Sequence, residues 1–94
     1  MNILERAIEA YGADMQLTVA VEELSELIKE LCKFKRGSDN RDNIIEELTD
    51  CYIVMEQIEI IFNITGKEMC NKLDEKLKRL ERRIAERDRN ESNN

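Results

Sequence analysis

Glu22-Glu23-Leu24-Ser25-Glu26-Leu27 and Glu46-Glu47-Leu48-Thr49-Asp50-Cys51 are two statements of one pattern. In each, a pair of acids precedes a leucine, and another acid follows three residues after the second of the pair. Residues three and four apart are neighbours on a helix surface, so each copy sets two carboxylates side by side next to an apolar position. Successive helical residues advance by about 100°. Measured from Leu24, Glu23 and Glu26 fall on one flank, at the border between buried and exposed. Measured from Leu48, Glu47 and Asp50 fall on the same flank, while Glu22 and Glu46 point further toward solvent. Two such helices packed together hold Glu23, Glu26, Glu47 and Asp50 against one another. Unit charges about 4 Å apart interact by roughly 1 kcal/mol in water and about 4 kcal/mol at an effective dielectric near 20. Without a cation the cluster is strained or partly protonated.

The surrounding sequence supplies the helices. With no proline, three glycines, 4% aromatic residues and 38% charged residues in 94, the chain has the profile of an all-α domain. Apolar spacing places a first helix over residues 2–11, with Asn2 and Glu5 as a capping box and Gly12 as its stop. The second helix, over residues 14–36, carries the first acidic copy on a buried stripe of Leu17, Ala20, Leu24, Leu27, Ile28 and Leu31. Lys33, Lys35 and Arg36 suit its C-terminal end. After the turn at 37–40, where Asp39 or Asn40 can cap, a third helix over residues 41–63 carries the second copy.

That third helix begins with one stripe, Ile44, Leu48, Cys51, Tyr52 and Met55, and then becomes apolar in nearly every direction through Ile53, Val54, Ile58, Ile60, Ile61, Phe62 and Ile64. A helix apolar all round is buried all round. Four short helices of one chain cannot enclose it, which predicts a subunit interface. Thr65-Gly66-Lys67-Glu68 is a capping box opening a fourth helix with Met69, Leu73, Leu77, Leu80 and Ile84 on its stripe. The expected domain spans 1–87 as a four-helix bundle, with 88–94 a disordered polar tail.

Charge and residue usage exclude several chemistries. A formal charge of -6 lacks the basic footprint of a nucleic-acid binder. Glu56, Gln57 and Glu59 break the one long apolar run, so no membrane span is expected. With no histidine and no C-x-x-C pair, a metal must be a hard cation on oxygen, and neither a serine triad nor an activated thiolate can be assembled. No glycine-rich phosphate loop occurs. Cys32, Cys51 and Cys70, odd in number and among apolar neighbours, read as reduced core residues of a cytoplasmic protein. On the fourth helix, Lys72, Lys76, Arg79 and Arg83 occupy the flank that the acids occupy on the other two. An acidic cleft with a basic wall suits an anionic substrate bridged by a divalent metal, although i,i+4 pairing with Glu68, Glu75 and Glu86 is the plainer use of those cations.

Glu23-x-x-Glu26, a spacer, then Glu47-x-x-Asp50 resembles the metal-binding signature of the all-α NTP pyrophosphatase superfamily, specifically its short MazG-like members. The likeness covers about residues 14–84. It implies a MazG-like bundle assembled as a dimer or dimer of dimers, and hydrolysis of nucleoside triphosphates, canonical or damaged, to monophosphate and pyrophosphate. It further implies Mg²⁺ or Mn²⁺ held by Glu23, Glu26, Glu47 and Asp50, one of which orients the attacking water, with Glu22 or Glu46 available as an outer base. Lys76-Leu77-Lys78-Arg79 looks like the family's phosphate-contacting stretch, which singles out Lys76 and Arg79. Many relatives carry asparagine two residues before that lysine, where this chain has Asp74. Two other readings compete: a helical interaction module whose fourth helix forms a coiled coil, and a nucleotide-binding relative without turnover.

Overall fold

The computed structural model describes residues 1–93 and is all-α, with helices at Ile3–Tyr11 (α1), Ala13–Lys35 (α2), Arg41–Ile61 (α3) and Gly66–Ser92 (α4). Local chemistry explains the boundaries. Asn2 caps α1 by accepting the Glu5 N–H at 2.8 Å, and Gly12, at a φ of 91°, ends it while donating to the Ile8 carbonyl. A left-handed or otherwise positive φ suits glycine, which has no Cβ to clash. α3 stops at Ile61, before the expected residue 63, because Asn63 turns left-handed at a φ of 53°. Asparagine tolerates that conformation at a helix end. The Thr65–Glu68 capping box forms as expected: Glu68 accepts the Thr65 N–H at 2.8 Å and Thr65 accepts the Glu68 N–H at 3.1 Å.

Where the sequence suggests one domain over 1–87, the contacts cluster into two compact units, Met1–Asn63 and a second that begins at Ile64. In the first, α2 and α3 make the most extensive contact and α1 packs on both. The second is built on α4. Its helix continues through Ser92 instead of fading after Arg87. Residues 88–92 contain no glycine or proline, and Arg87 pairs with Glu91 at 3.1 Å one turn on. Asn94, the last residue of the expected tail, lies outside the described residues.

The α2–α3 pair is antiparallel, and its core differs from the leucine stripes read in the sequence. The buried apolar residues are Ala20, Cys51 and Val54, joined by the polar Gln16, Glu30, Asn40 and Gln57. Of the stripe expected on α2, Ala20 is buried as expected and Leu17, Leu24 and Leu27 are half-buried, whereas Ile28 and Leu31 are exposed. Of the stripe expected on α3, Cys51 is buried as expected and Ile44 half-buried, whereas Leu48, Tyr52 and Met55 are exposed. Farther along α3, within the single chain, Ile58, Ile60 and Ile61 are half-buried, and Ile53 and Phe62 are exposed. The cysteines divide as well, Cys51 being buried and Cys32 and Cys70 exposed.

The reason lies in the residues that face one another. Gln16, Ala20, Glu23, Leu27 and Glu30 recur at spacings of four and three and form one line along α2, about 80° away from Leu24. Opposite runs the α3 line of Glu47, Cys51 and Val54. Alanine, cysteine and valine are small, which lets the two backbones approach. The buried Gln57 Nε2 donates to Gln16 Oε1 at 3.0 Å, closing one end of the seam.

Removing one of two buried hydrogen-bonding partners strands the other, at a cost of about 1–3 kcal/mol, while replacing both by apolar groups of similar shape is nearly neutral. Gln57→Met should therefore destabilise the chain by that amount in urea titrations, and adding Gln16→Met should recover most of the loss. Additive losses in the double variant would contradict the pairing.

Candidate metal centre

Three contacts set the register that builds the site. Gln16 meets Gln57 at one end of the α2–α3 seam, and the Cys51 thiol donates to the Glu23 carbonyl at 3.5 Å in the middle. At the other end the Asn40 Nδ2 donates to the Glu30 carbonyl at 2.9 Å and to Glu30 Oε1 at 3.4 Å. With the backbones so fixed, Glu23 from α2 and Glu47 and Asp50 from α3 each offer a carboxylate oxygen, all within 4.8 Å of one another. Glu23 and Glu47 are half-buried. They stand on the buried lines themselves, so the seam runs through the acids and the repeated leucines stand at its edges.

Electrostatics follow from that placement. Burial, the charge of Asp50, a hydrogen bond with Asp50, and the charges of Glu47 and Glu26 push the Glu23 carboxyl above its ordinary value of 4.5. Burial, then the charges of Asp50, Glu26, Glu30 and Glu46, raise Glu47 likewise. Three of the four expected ligands thus converge. Glu26 lies outside the trio, yet its charge acts on both Glu23 and Glu47. Lys76 and Arg79 belong to α4, in the second unit, where they border a shallow depression with Lys72, Glu75 and Arg82.

One residue near the trio was missed in the sequence. Glu30, only 5% exposed, is held by Lys33 Nζ at 3.3 Å and by Asn40. Its burial raises the pKa, but the hydrogen bonds from Lys33, Asn40 and Asn43 and the charge of Lys33 outweigh this and leave it lowered. Glu30 therefore stays ionised and adds to the field at Glu47. The available signal was its place on the spacing 23, 26, 30. Asn40, expected as a cap, makes no capping bond, because its side chain turns to Glu30 and leaves its buried Oδ1 without a partner. Cys51, expected on the buried stripe of the third helix, is buried beside the trio. Burial and the charges of Glu23, Glu47 and Asp50 push its thiol up, so it serves as a neutral wall and neither as a nucleophile nor as a thiolate ligand.

The donor set is oxygen-only, convergent and partly desolvated, which fits a hard divalent cation such as Mg²⁺. The raised carboxyls also fix a sign. A carboxyl whose native value is raised binds its proton more tightly folded than unfolded, so its penalty is absent below the ordinary 4.5 and grows as pH rises through the raised native value. In chelator, Glu47→Gln should match wild type near about pH 4 and become the more stable of the two toward about pH 7. Thermal melts across that range measure the difference, and a variant less stable than wild type at neutral pH would contradict the repulsion. No family model, no curated protein and no solved structure matches this chain.

Proposed function

We propose that the chain is a nucleoside triphosphate pyrophosphohydrolase of the MazG-like kind, acting in the cytoplasm as a dimer or dimer of dimers. The observation that carries this reading is the convergence of Glu23, Glu47 and Asp50 across the α2–α3 seam, within 4.8 Å. The resemblance of the paired acidic motifs to that family supports the step from cation site to nucleotide chemistry. None of the described helices is long and apolar enough to cross a membrane, which accords with a nucleotide substrate in solution.

Mg²⁺, or Mn²⁺ in its place, supplies positive charge to the phosphate oxygens and acidifies a water when bound. The residues of the chain do the rest. Glu23, Glu47 and Asp50 provide the oxygens that hold it, with Glu26 beside them as the fourth acid of the motif. A carboxylate of this set accepts the proton of the water whose oxygen bonds to the α-phosphorus, and the α–β bridging oxygen departs with pyrophosphate. Such chemistry depends on positioning and charge neutralisation and needs no side-chain nucleophile, in keeping with a chain that has no histidine and a neutral Cys51. Lys76 and Arg79 are assigned to the phosphates on the family resemblance.

A panel of nucleoside triphosphates, with pyrophosphate release measured in Mg²⁺ and in Mn²⁺, tests the activity. Turnover is expected with at least one nucleotide, and Glu47→Gln or Asp50→Asn should lower it by roughly 10²-fold or more. No release from any triphosphate with either ion would overturn the proposal. A second reading, a non-catalytic helical module, is favoured by the exposed apolar stripe of α4. Melting separates the two: Mg²⁺ at about 100 times its Kd should stabilise a metal-binding protein by about 2.7 kcal/mol over chelator. A melting temperature indifferent to Mg²⁺ would remove the metal centre and leave the module.

A further inference from the structure

We infer that α4 is a self-association surface whose occupant is the α4 of a second copy of this chain, packed parallel and in register as a two-stranded coiled coil. The inference stands on α4 alone and is independent of the metal centre.

Cys70, Leu73, Leu77, Leu80 and Ile84 follow one another at spacings of three, four, three and four. This is the heptad pattern, with Cys70, Leu77 and Ile84 at a and Leu73 and Leu80 at d. No residue of α4 is buried, and its four a and d leucine and isoleucine side chains are 50–56% exposed. An apolar stripe with polar flanks along a 27-residue helix is the half-built seam of a helix pair. The pattern ends after Ile84, since the next positions of the seam are Arg87 and Glu91.

The flanks choose the partner and its direction. Position e is acidic in every heptad, at Asp74, Glu81 and Asp88, and position g is basic at Lys76 and Arg83. In a parallel pair, each g residue faces the e residue of the following heptad on the other helix. Lys76 then meets Glu81 of the partner subunit, and Arg83 meets Asp88 of the partner subunit, on both sides of the seam. An antiparallel pair sets g against g and e against e, which places like charges together along both flanks. A second copy in parallel is thus the occupant these charges fit. Within one chain Lys78 meets Asp74 at 3.0 Å, but among the described residues no ion pair engages Lys76, Glu81, Arg83 or Asp88. In this arrangement Lys76 is engaged by Glu81 of the partner subunit, so of the two phosphate contacts proposed above Arg79, at c and facing away from the seam, is the one left to the substrate.

Register gives the test a local readout, because only a parallel, in-register pair sets the two Cys70 thiols across from each other at an a position. The full chain carrying Cys32→Ser retains Cys70 as its exposed thiol, Cys51 being buried. Treated with a short bismaleimide, it should give a covalent dimer. Lys76→Glu with Arg83→Glu makes both flanks acidic, and Asp74→Lys with Glu81→Lys and Asp88→Lys makes both basic. Each set should slow Cys70 crosslinking at least tenfold, and mixing the two sets, one carrying a size tag, should restore it in the heterodimer only. Three results would overturn the inference. One is the absence of a Cys70 crosslink in the parent, as expected if α4 binds a different protein or its own chain, or pairs antiparallel about Leu77, which holds the two Cys70 about 21 Å apart. The second is crosslinking indifferent to the charge reversals. The third is failure of the mixture to form the heterodimer.

Discussion

Everything the first unit can do chemically depends on the register of α2 against α3, and polar contacts set that register. A seam lined by leucines alone could slide by a turn and lose little, because apolar contacts are non-directional. Gln16 with Gln57, Cys51 with the Glu23 carbonyl, and Asn40 with Glu30 are directional, and each would be broken by a slip. Sliding would also strand buried polar groups, which costs more than an apolar mismatch. The pairing of Glu23 with Glu47 and Asp50 follows from these contacts.

The same seam explains why the first unit is thinly cored. Its two facing lines give three positions to carboxylates, Glu23, Glu30 and Glu47, and the ends of the seam to Gln16 and Gln57, leaving Ala20, Cys51 and Val54 as the fully enclosed apolar residues. None of these is large, so the apolar burial behind the site is modest. Tyr52, Ile53 and Phe62 of α3 remain uncovered in the single chain. Acidic side chains at core positions exchange stability for a concentrated negative potential, an exchange usual where structure serves binding. Glu30 sharpens that potential: clamped in its ionised form by Lys33 and Asn40, it keeps a fixed charge beside carboxyls that are driven toward protonation.

Much of this was legible beforehand. Four helices, the stop at Gly12 and the Thr65–Glu68 start follow from short-range spacing and capping chemistry, which need no knowledge of the partner element. The acids were also legible, since Glu23, Glu47 and Asp50 share a repeated pattern. What misled was the choice of leucine as the marker of the buried face. Leu24 and Leu48 are larger and more apolar than Ala20 and Cys51, yet close packing of α2 on α3 selects the small residues. That selection depends on both helices at once and is invisible in either. The roles of Glu30, Asn40 and Gln16 were hidden for a related reason: a polar residue reads as solvated until its partner, 10 or 41 positions away, is known.

The capping box at Thr65 and Glu68 gives the chain a divided response to acid. Hydrogen bonds from the Thr65 backbone and side chain hold the Glu68 carboxyl below its ordinary value, so its contribution to the start of α4 is present above that value and is lost as pH falls through the lowered one. Glu23 and Glu47 run the other way and are relieved by protonation. Acidification therefore relieves the crowded pair Glu23 and Glu47 while it unfastens the first turn of α4. A falling pH thus loosens the start of α4, while in the first unit relief at Glu23 and Glu47 is set against loss of the charge that Lys33 and Asn40 hold on Glu30.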